Sequence, residues 1–412
     1  MIWIRLAALA LLAGAFALTF LVDPWQDELV SDVPLYRAYA DVFLDGLVPY
    51  RDIGFEYPPL AAPVIALPGL VSLDPETYRY AFAVLMAALA AGVVLATGRL
   101  AALGGGREWL ALLLAALAPV ASGAMIRTHF DLAPVLCVVA GLAAIGAGRS
   151  RSGFALLGLG GAVKLFPLAA VPVAAAWLLG RGRRGEAVAG AAIAIAVAAL
   201  AAVAAVAFSA DGAREAVEYH VERPVQIESL PATVLNGIEE AGGRAPEPVH
   251  SHRSDGLEHP AADPLAGGFI ALMLLALAAL TVSARRLPDV RGLGIAGLAS
   301  IAAFATFGKV LSPQFMLWLV PLAAVALAWR MYALAVVTTA AVAATLAWFP
   351  DRYFDLVDRD EMPLAAVAVR NGLLLVMLLL VARELRRLVR ESPAAARSTP
   401  QARPGGPRSA PR

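Results

Sequence analysis

Long apolar runs recur along most of the 412-residue chain, and short connections, several of them rich in arginine, separate these runs. A helix needs about 20 mostly apolar residues to cross the hydrocarbon layer of a bilayer. The pattern predicts twelve membrane-spanning helices, near residues 6–22, 78–98, 109–125, 130–148, 153–165, 166–180, 187–208, 265–284, 292–308, 311–329, 331–348 and 364–382. The fifth and sixth are short, which is tolerated where helix ends meet protein or a water-filled cavity. The chain is expected to turn between these two, near Lys164–Pro167.

The composition supports the same fold class. Apolar residues make up 60% of the chain and charged residues 16%, and the mean hydropathy is +0.72. A soluble domain has about 45–50% apolar and about 25% charged residues. We therefore expect an all-α polytopic membrane protein. The net charge of +1 gives no reason to expect a nucleic-acid partner, and the single cysteine, Cys137, excludes an intrachain disulfide.

The arginine pattern predicts the orientation in the membrane, because basic residues concentrate in cytoplasmic loops. The clusters fall on alternate connections and on the tail, so both termini are predicted to be cytoplasmic. Three long segments then face outward: 23–77, 209–264 and 349–363. If residues 58–71 crossed fully, the later clusters would be inverted, so an interfacial or re-entrant helix is predicted there. Residues 1–391 are expected to form one domain in the plasma membrane, followed by a disordered tail, 392–412.

The first outer segment carries a dense polar pattern, "SDVPLYRAYADVFLDGLVPYRDIGFEYPP", at residues 31–59. It contains five acids and four of the nine tyrosines of the chain. A helix beginning at Asp32 would place Asp32 and Tyr36 on one face, and an acid that heads an aromatic face suits sugar chemistry. However, Asp32 also lies two residues before Pro34, where a helix N-cap is expected. The spacing leaves catalysis and capping open.

Both lysines of the chain, Lys164 and Lys309, lie at the predicted outer ends of spans. A cation near the bilayer centre costs about 2.5–3.5 kcal/mol. Each lysine is therefore expected to face a cavity, or else to reach the headgroups by snorkelling.

Three outer stretches could carry further chemistry. "RTHFD" places Arg127, His129 and Asp131 between two spans, although Asp131 could again be a helix cap. "HVERPVQIES" offers Arg223 and Gln226 for contacts to a phosphate or headgroup, unless it is only a solvated interfacial helix. "HSHRSDGLEH" has a scatter of possible metal ligands, but its surroundings are typical of a flexible loop. No metal site is therefore expected.

The sequence resembles glycosyltransferase family 87, a branch of the GT-C membrane glycosyltransferases that includes actinobacterial phosphatidylinositol-mannoside mannosyltransferases. The matching stretches run in family order over residues 30–320: "SDVPLYRAYADVFLDGLVPYRDIGFEYPP", "RTHFDLAP", "AVKLFPLAAVP", "HVERPVQIES" and "GKVLSPQFMLWLVP". The resemblance implies a GT-C-like helical bundle. Such enzymes take a sugar, here expected to be mannose, from a polyprenyl-phosphate donor on the outer face of the membrane. The expected acceptor is a glycolipid or a cell-envelope glycan.

The resemblance also implies roles for individual residues. The catalytic acid of this superfamily lies in the first outer loop, and its role falls on Asp32, in the context D-x-x-x-Y, as the base for the acceptor hydroxyl. Single displacement with inversion is the simplest mechanism, and no cofactor is expected. Substrate or phosphate contacts are expected from Lys309, Lys164, Arg127, His129, Arg223, Gln226, Tyr36, Glu56 and Tyr57. The alternatives are a transporter or lipid flippase and a non-catalytic membrane subunit.

Overall fold

The structure is a computed structural model that describes residues 2–391 apart from residues 24 and 27. The described part is mostly helical, as the apolar pattern predicts. Its α-helices are α1 (Ile2–Leu21), α2 (Val33–Leu44), α3 (Ala61–Gly69), α4 (Pro75–Leu103), α5 (Glu108–Ala116), α6 (Ala118–Ser122), α7 (Met125–Thr128), α8 (Leu132–Gly146), α9 (Ser150–Val163), α10 (Ala170–Leu179), α11 (Arg184–Phe208), α12 (Ala210–Glu222), α13 (Leu230–Glu240), α14 (Ala262–Ala284), α15 (Val290–Phe307), α16 (Val320–Ala328), α17 (Tyr332–Ala344), α18 (Tyr353–Val357) and α19 (Glu361–Arg390). Short 3₁₀ helices cover Phe166–Ala169, Pro313–Leu319 and Thr345–Ala347. The predicted disordered tail, 392–412, lies outside the described residues.

Six of the described helices are long and apolar enough to cross a membrane: α1, α4, α11, α14, α15 and α19. Each coincides with a predicted span. Only 11% of the apolar window of α11 and 6% of that of α14 are buried inside the protein. Such apolar helices, left largely uncovered by the rest of the chain, fit a lipid environment. The prediction of a mostly helical membrane protein is confirmed.

The other six predicted spans are helical but short or interrupted, and prolines lie at several of the interruptions. Proline has no N–H to donate, and its ring clashes with the preceding helical turn. Helix α5 ends at Ala116, and Pro119 lies in the first turn of α6. Pro167 and Pro313 occupy the 3₁₀ helices that precede α10 and α16. Twelve crossings therefore stay a prediction, as does a re-entrant path for 58–71, where the structure has the nine-residue helix α3.

The predicted break near Lys164–Pro167 is present. Helix α9 ends at Val163, and Lys164 itself has an extended backbone, with φ −157° and ψ 137°. The break places the Lys164 side chain beside the start of α8 instead of along a continuous helix.

The segment 209–264, which is predicted to face outward, contains a small sheet that the all-α prediction missed. Its strands are β1 (Val225–Gln226), β2 (Glu247–Ser251) and β3 (Ser254–Glu258), arranged antiparallel in the order β1-β3-β2. The "HSHRSDGLEH" stretch therefore forms a hairpin, and the expectation of a flexible loop is wrong. Leu257, on β3, is buried in an apolar cluster with Trp348 and Phe349, which are distant in sequence.

The segments that are predicted to face outward pack closely on one another. A Cβ atom at Gly212, in α12, would lie 1.9 Å from the carbonyl oxygen of Tyr50, so this approach requires glycine. The Gln226 backbone N–H donates to the Lys309 carbonyl at 3.0 Å, which joins β1 to the end of α15. The first outer segment, α12 and the end of α15 thus share one region of the molecule.

Candidate active site

Asp32 stands at the N-cap position of α2, but its side chain does not cap the helix. Its backbone is already helical, and its carboxylate accepts no hydrogen bond from the first turn. Instead, the Tyr36 hydroxyl donates to Asp32 Oδ2 at 2.9 Å. The side chain is 34% exposed, and Oδ1 accepts no hydrogen bond from the described residues. The carboxylate is therefore accessible and has one oxygen free for chemistry.

Tyr36 is predicted to contact the substrate. In the structure its side chain is buried, and its hydroxyl contacts Asp32. Its ring lies 5.4 Å from those of Phe82 and Phe130, measured between centroids. Burial, and then the neighbouring Asp32 carboxylate, raises the pKa of the Tyr36 phenol well above its usual value. The hydroxyl thus stays protonated and remains a hydrogen-bond donor to Asp32.

His129 also faces Asp32. Its Nε2 lies 3.6 Å from Asp32 Oδ2, and its ring is almost fully buried. On the other side of the ring, Nδ1 is 3.0 Å from the Thr128 hydroxyl oxygen. His129 is thus placed to act on Asp32, while its predicted contact to the substrate stays a prediction.

Arg127, two residues earlier, is buried, and each of its three guanidinium nitrogens has a partner. Nη1 pairs with Glu28, Nε donates to the Thr19 carbonyl at 3.0 Å, and Nη2 donates to the Gln26 carbonyl at 3.0 Å. The guanidinium also lies over the Phe20 ring, 4.2 Å from its centroid. These contacts tie α7 to α1 and the segment after it, and they do not favour the predicted role in phosphate binding.

Lys164 is paired with Asp131, a carboxylate that sequence reasoning treated mainly as a helix cap. Lys164 Nζ donates to Asp131 Oδ1 at 2.8 Å, and the Trp318 indole N–H donates to the same oxygen at 2.6 Å. Asp131 makes no side-chain cap and is fully buried. The Phe166 ring stacks on Trp318 with centroids 3.7 Å apart. Sequence reasoning gave Trp318 no role, although it lies within the family-like stretch "GKVLSPQFMLW".

Glu56 joins the first outer segment to the hairpin. Its buried carboxylate accepts from the Tyr39 hydroxyl and from Arg253 Nη1, the latter at 3.1 Å. Arg253 lies at the tip of the β2–β3 hairpin and was missed, because nothing in its local sequence indicates a partner 197 residues away. The Glu56 carbonyl oxygen is 2.8 Å from His220 Nε2 on α12. Glu56 therefore connects its own segment to the β2–β3 hairpin and to α12.

Tyr57 packs in the same aromatic group as Tyr36. Its ring centroid is 5.0 Å from that of Phe130 and 6.2 Å from that of Tyr36. Burial, and then the Asp32 carboxylate, raises the pKa of the Tyr57 phenol well above its usual value. Tyr57 therefore stays neutral beside the Asp32 region.

Gln226 is buried and is used within the protein. Its Oε1 accepts from the Leu311 backbone N–H at 2.7 Å, and its Nε2 donates to the Ser312 hydroxyl at 3.0 Å. The amide thereby holds the "GKVLSPQ" stretch against β1. This geometry favours a structural role over the predicted contact to a substrate.

Arg223 and Lys309 form a different kind of site, because neither forms an ion pair with a carboxylate of the described residues. Lys309 Nζ donates to the carbonyls of Val221 and Arg223, each at 2.6 Å. Burial lowers the pKa of the Lys309 ammonium. In the described part of the chain nothing accepts a hydrogen bond from the Arg223 guanidinium, and its Nε is buried without a partner. This juxtaposition leaves cationic donors for an anion.

The pKa of Tyr219, on α12, depends both on Asp32 and on Arg223. Burial raises the pKa of its phenol, Arg223 lowers it, and Glu56 and Asp32 raise it further. Asp32 and Arg223 are therefore both close enough to act electrostatically on one side chain of α12. The predicted base and one of the predicted phosphate-binding groups thus both influence the same side chain of α12.

Comparison with known proteins decides the class of this site. Residues 55–232 match glycosyltransferase family 87. The chain carries a glycosyltransferase family 87 domain. No curated protein matches the chain. The resemblance stated from the sequence is thus confirmed.

The match indicates a membrane glycosyltransferase, since the matched family consists of glycosyltransferases and the fold has several apolar helices of spanning length. The match supports an enzyme over the transporter or flippase alternative. The matched segment includes Arg127, His129, Lys164 and Arg223, whereas Asp32 precedes it. The case for Asp32 therefore rests on its geometry and on the family-like pattern around it.

Proposed function

We propose that the protein transfers a hexose, most simply mannose, from a polyprenyl-phosphate donor to a glycolipid or cell-envelope glycan acceptor. Two features support this donor class. The cations and the base of the site lie on segments that the arginine pattern places outside, and the inner connections are too short to hold a nucleotide-binding domain. A monophosphate leaving group needs less neutralisation than a nucleotide diphosphate. One guanidinium and one ammonium group match that requirement.

The proposed reaction is a single displacement with inversion. Asp32 Oδ1 removes the proton of the acceptor hydroxyl, whose oxygen attacks the anomeric carbon. The bond between that carbon and the phosphate oxygen breaks, and polyprenyl phosphate leaves with the electron pair. Arg223 and Lys309 stabilise the charge that develops on the phosphate. The proton remains on Asp32 until solvent removes it.

One observation carries this proposal: the Asp32 carboxylate does not cap α2, and its Oδ1 is unoccupied while Tyr36 holds Oδ2. An acid used only for capping would direct an oxygen at the backbone N–H groups of the first turn. Asp74 does so at the start of α4, where Oδ1 accepts from the Thr77 N–H at 3.0 Å. Asp74 is therefore the matched control for Asp32.

Asp32→Asn is expected to lower kcat by about 100-fold or more, the range in which general bases contribute, while the protein stays inserted and folded. Asp74→Asn should keep the parent kcat, because asparagine also caps helices well. The assay measures release of polyprenyl phosphate from polyprenyl-phosphate mannose, with a lipid extract from cells that lack the enzyme as acceptor. Near-parent turnover by Asp32→Asn would refute the base.

The proposed function needs the site outside the cell, with twelve crossings and both termini in the cytoplasm. Single cysteines at positions 182 and 250, each in a Cys137→Ala background, test this topology in intact cells. An impermeant thiol reagent should label position 250 and leave position 182 unlabelled. Labelling of both positions, or of 182 alone, would contradict the orientation and the outward-facing site.

A further inference from the structure

The turn between α7 and α8 holds the His129 ring in a fixed place. On one side of His129, Arg127 is anchored to α1. On the other, Phe130 packs on Tyr36 with centroids 5.4 Å apart, and Asp131 is bound by Lys164. His129 is only 3% exposed. Its ring therefore has little freedom to turn away from Asp32.

Thr128 can determine which nitrogen of His129 carries the proton. The Thr128 hydroxyl oxygen lies 3.0 Å from His129 Nδ1 and also 3.0 Å from the Ala124 carbonyl oxygen, and it has one hydrogen to donate. The Ala124 carbonyl already accepts from the backbone N–H groups of Arg127 and Thr128, at 2.9 and 3.1 Å. The hydroxyl can therefore donate to Nδ1 without leaving a buried acceptor unsatisfied. In neutral histidine the proton is then on Nε2, facing Asp32.

We propose that Thr128 and His129 are positioning residues for Asp32. Thr128 fixes the tautomer of His129, and the Nε2–H of His129 is then directed at Asp32 Oδ2. Tyr36 also donates to Oδ2, so this oxygen would accept two hydrogen bonds. Oδ1 then remains free and is directed at the acceptor hydroxyl. This inference rests on the proposed role of Asp32 as base.

The distance of 3.6 Å between His129 Nε2 and Asp32 Oδ2 exceeds that of a hydrogen bond. Hydrogen bonds of catalytic groups are often long in free enzymes and shorten when substrate binds. The pair is expected to close in the same way. During the reaction the acceptor proton moves to Asp32 Oδ1 and no proton moves to His129, whose role is to orient the carboxylate.

Substitutions at position 128 separate orientation from packing. Thr128→Val keeps the shape of the side chain but removes the hydroxyl. The kcat with polyprenyl-phosphate mannose should then fall by about 10-fold, while the donor KM stays unchanged. This loss is smaller than the roughly 100-fold that a misplacement of about 1 Å can cost. Thr338→Val is the matched control. Thr338 is also fully buried and donates to a carbonyl four residues earlier, at 2.7 Å, without a histidine partner. Equal effects of the two variants would overturn the proposal.

Substitutions at position 129 give an independent measurement. His129→Gln retains an N–H donor near the place of Nε2, whereas His129→Leu has none. The leucine variant should lose up to about 100-fold in kcat, and the glutamine variant should recover part of that loss. If Asp32→Asn is impaired but His129→Leu has the kcat of the parent, His129 does not position Asp32, while the proposed role of Asp32 as base is retained. If Asp32→Asn is unimpaired, the proposed function itself fails.

The tautomer can be measured without any substrate. In protein labelled with ¹⁵N-histidine, the His129 signals, assigned by their loss in His129→Gln, should show the Nε2–H tautomer. In Thr128→Val the population should shift toward Nδ1–H. A His129 ring already in the Nδ1–H form in the parent protein would contradict the proposal.

Discussion

The four cations that the sequence assigns to phosphate binding fall into two contrasting pairs. Arg127 and Lys164 each contact a carboxylate, that of Glu28 and that of Asp131. Among the described residues, Arg223 and Lys309 form no ion pair with a carboxylate, and Lys309 donates to two backbone carbonyls. The first pair joins elements of the bundle to each other. The second lies beside α12, where the Asp263 carboxylate only partly offsets the lowering of the Lys309 pKa by burial. A basic side chain at a predicted outer helix end therefore does not by itself indicate its role. Its partners do.

The largest expected effect concerns stability. Lys164→Met leaves the buried Asp131 carboxylate without its cation, and breaking a buried pair costs about 3 kcal/mol or more of the free energy of unfolding. Arg214→Met, which breaks an exposed pair with Glu218, should cost about 1 kcal/mol or less. Thermal unfolding in detergent measures both.

Restoring neutrality gives the control. The double variant Lys164→Met, Asp131→Leu should regain much of the lost stability, since no charge is then buried alone. If Lys164→Met were as stable as the parent but bound the donor poorly, the contrast between the two pairs of cations would be wrong.

A smaller effect is expected on the donor. Arg223→Met and Lys309→Met each remove a hydrogen-bonding charge, worth about 1.5–3 kcal/mol. Each should lower kcat/KM for polyprenyl-phosphate mannose by roughly 10-fold to 100-fold. Arg223→Met should leave the unfolding temperature close to that of the parent, whereas Lys309→Met also removes two hydrogen bonds to the carbonyls of Val221 and Arg223. Steady-state kinetics and unfolding of the same preparations test this together. Parent-like kinetics in both variants would show that these cations do not meet the phosphate.

The smallest effect is a pH dependence. Because burial lowers the pKa of Lys309, its ammonium loses its proton at a lower pH than a free lysine does. The apparent affinity for the donor should accordingly fall on the alkaline side, earlier than an ordinary lysine would cause. Lys309→Arg keeps the charge and should remove that fall. If the apparent affinity of Lys309→Arg for the donor fell at the same alkaline pH as that of the parent, the pH dependence would belong to another group.

The sequence predicted the parts of this molecule that depend on local pattern. Apolar runs located the six long helices of the described chain, and the alternation of the arginine clusters predicted the break near Lys164–Pro167, where α9 ends. The pattern around Asp32 located the candidate base, although spacing alone could not exclude capping. That question depends on where a carboxylate points, and the partner that settles it is the Tyr36 hydroxyl.

Long-range contacts could not be predicted in the same way. Trp318 reaches Asp131 across 187 positions, and Arg253 reaches Glu56 across 197. No periodicity in one stretch encodes such a partner. The hairpin that carries Arg253 was missed for a related reason, since its burial depends on Trp348 and Phe349 and not on apolar alternation within the hairpin.

The identity of the donor tests the central claim most directly. Purified enzyme in lipid nanodiscs is offered polyprenyl-phosphate mannose, GDP-mannose or a UDP-hexose, each with the lipid extract as acceptor and each with and without EDTA. The account predicts transfer from the polyprenyl phosphate alone, at the same rate when EDTA is present, because Arg223 and Lys309 serve the leaving phosphate. Transfer from a nucleotide sugar but not from the polyprenyl phosphate would contradict the account, and transfer abolished by EDTA would contradict its metal-free chemistry.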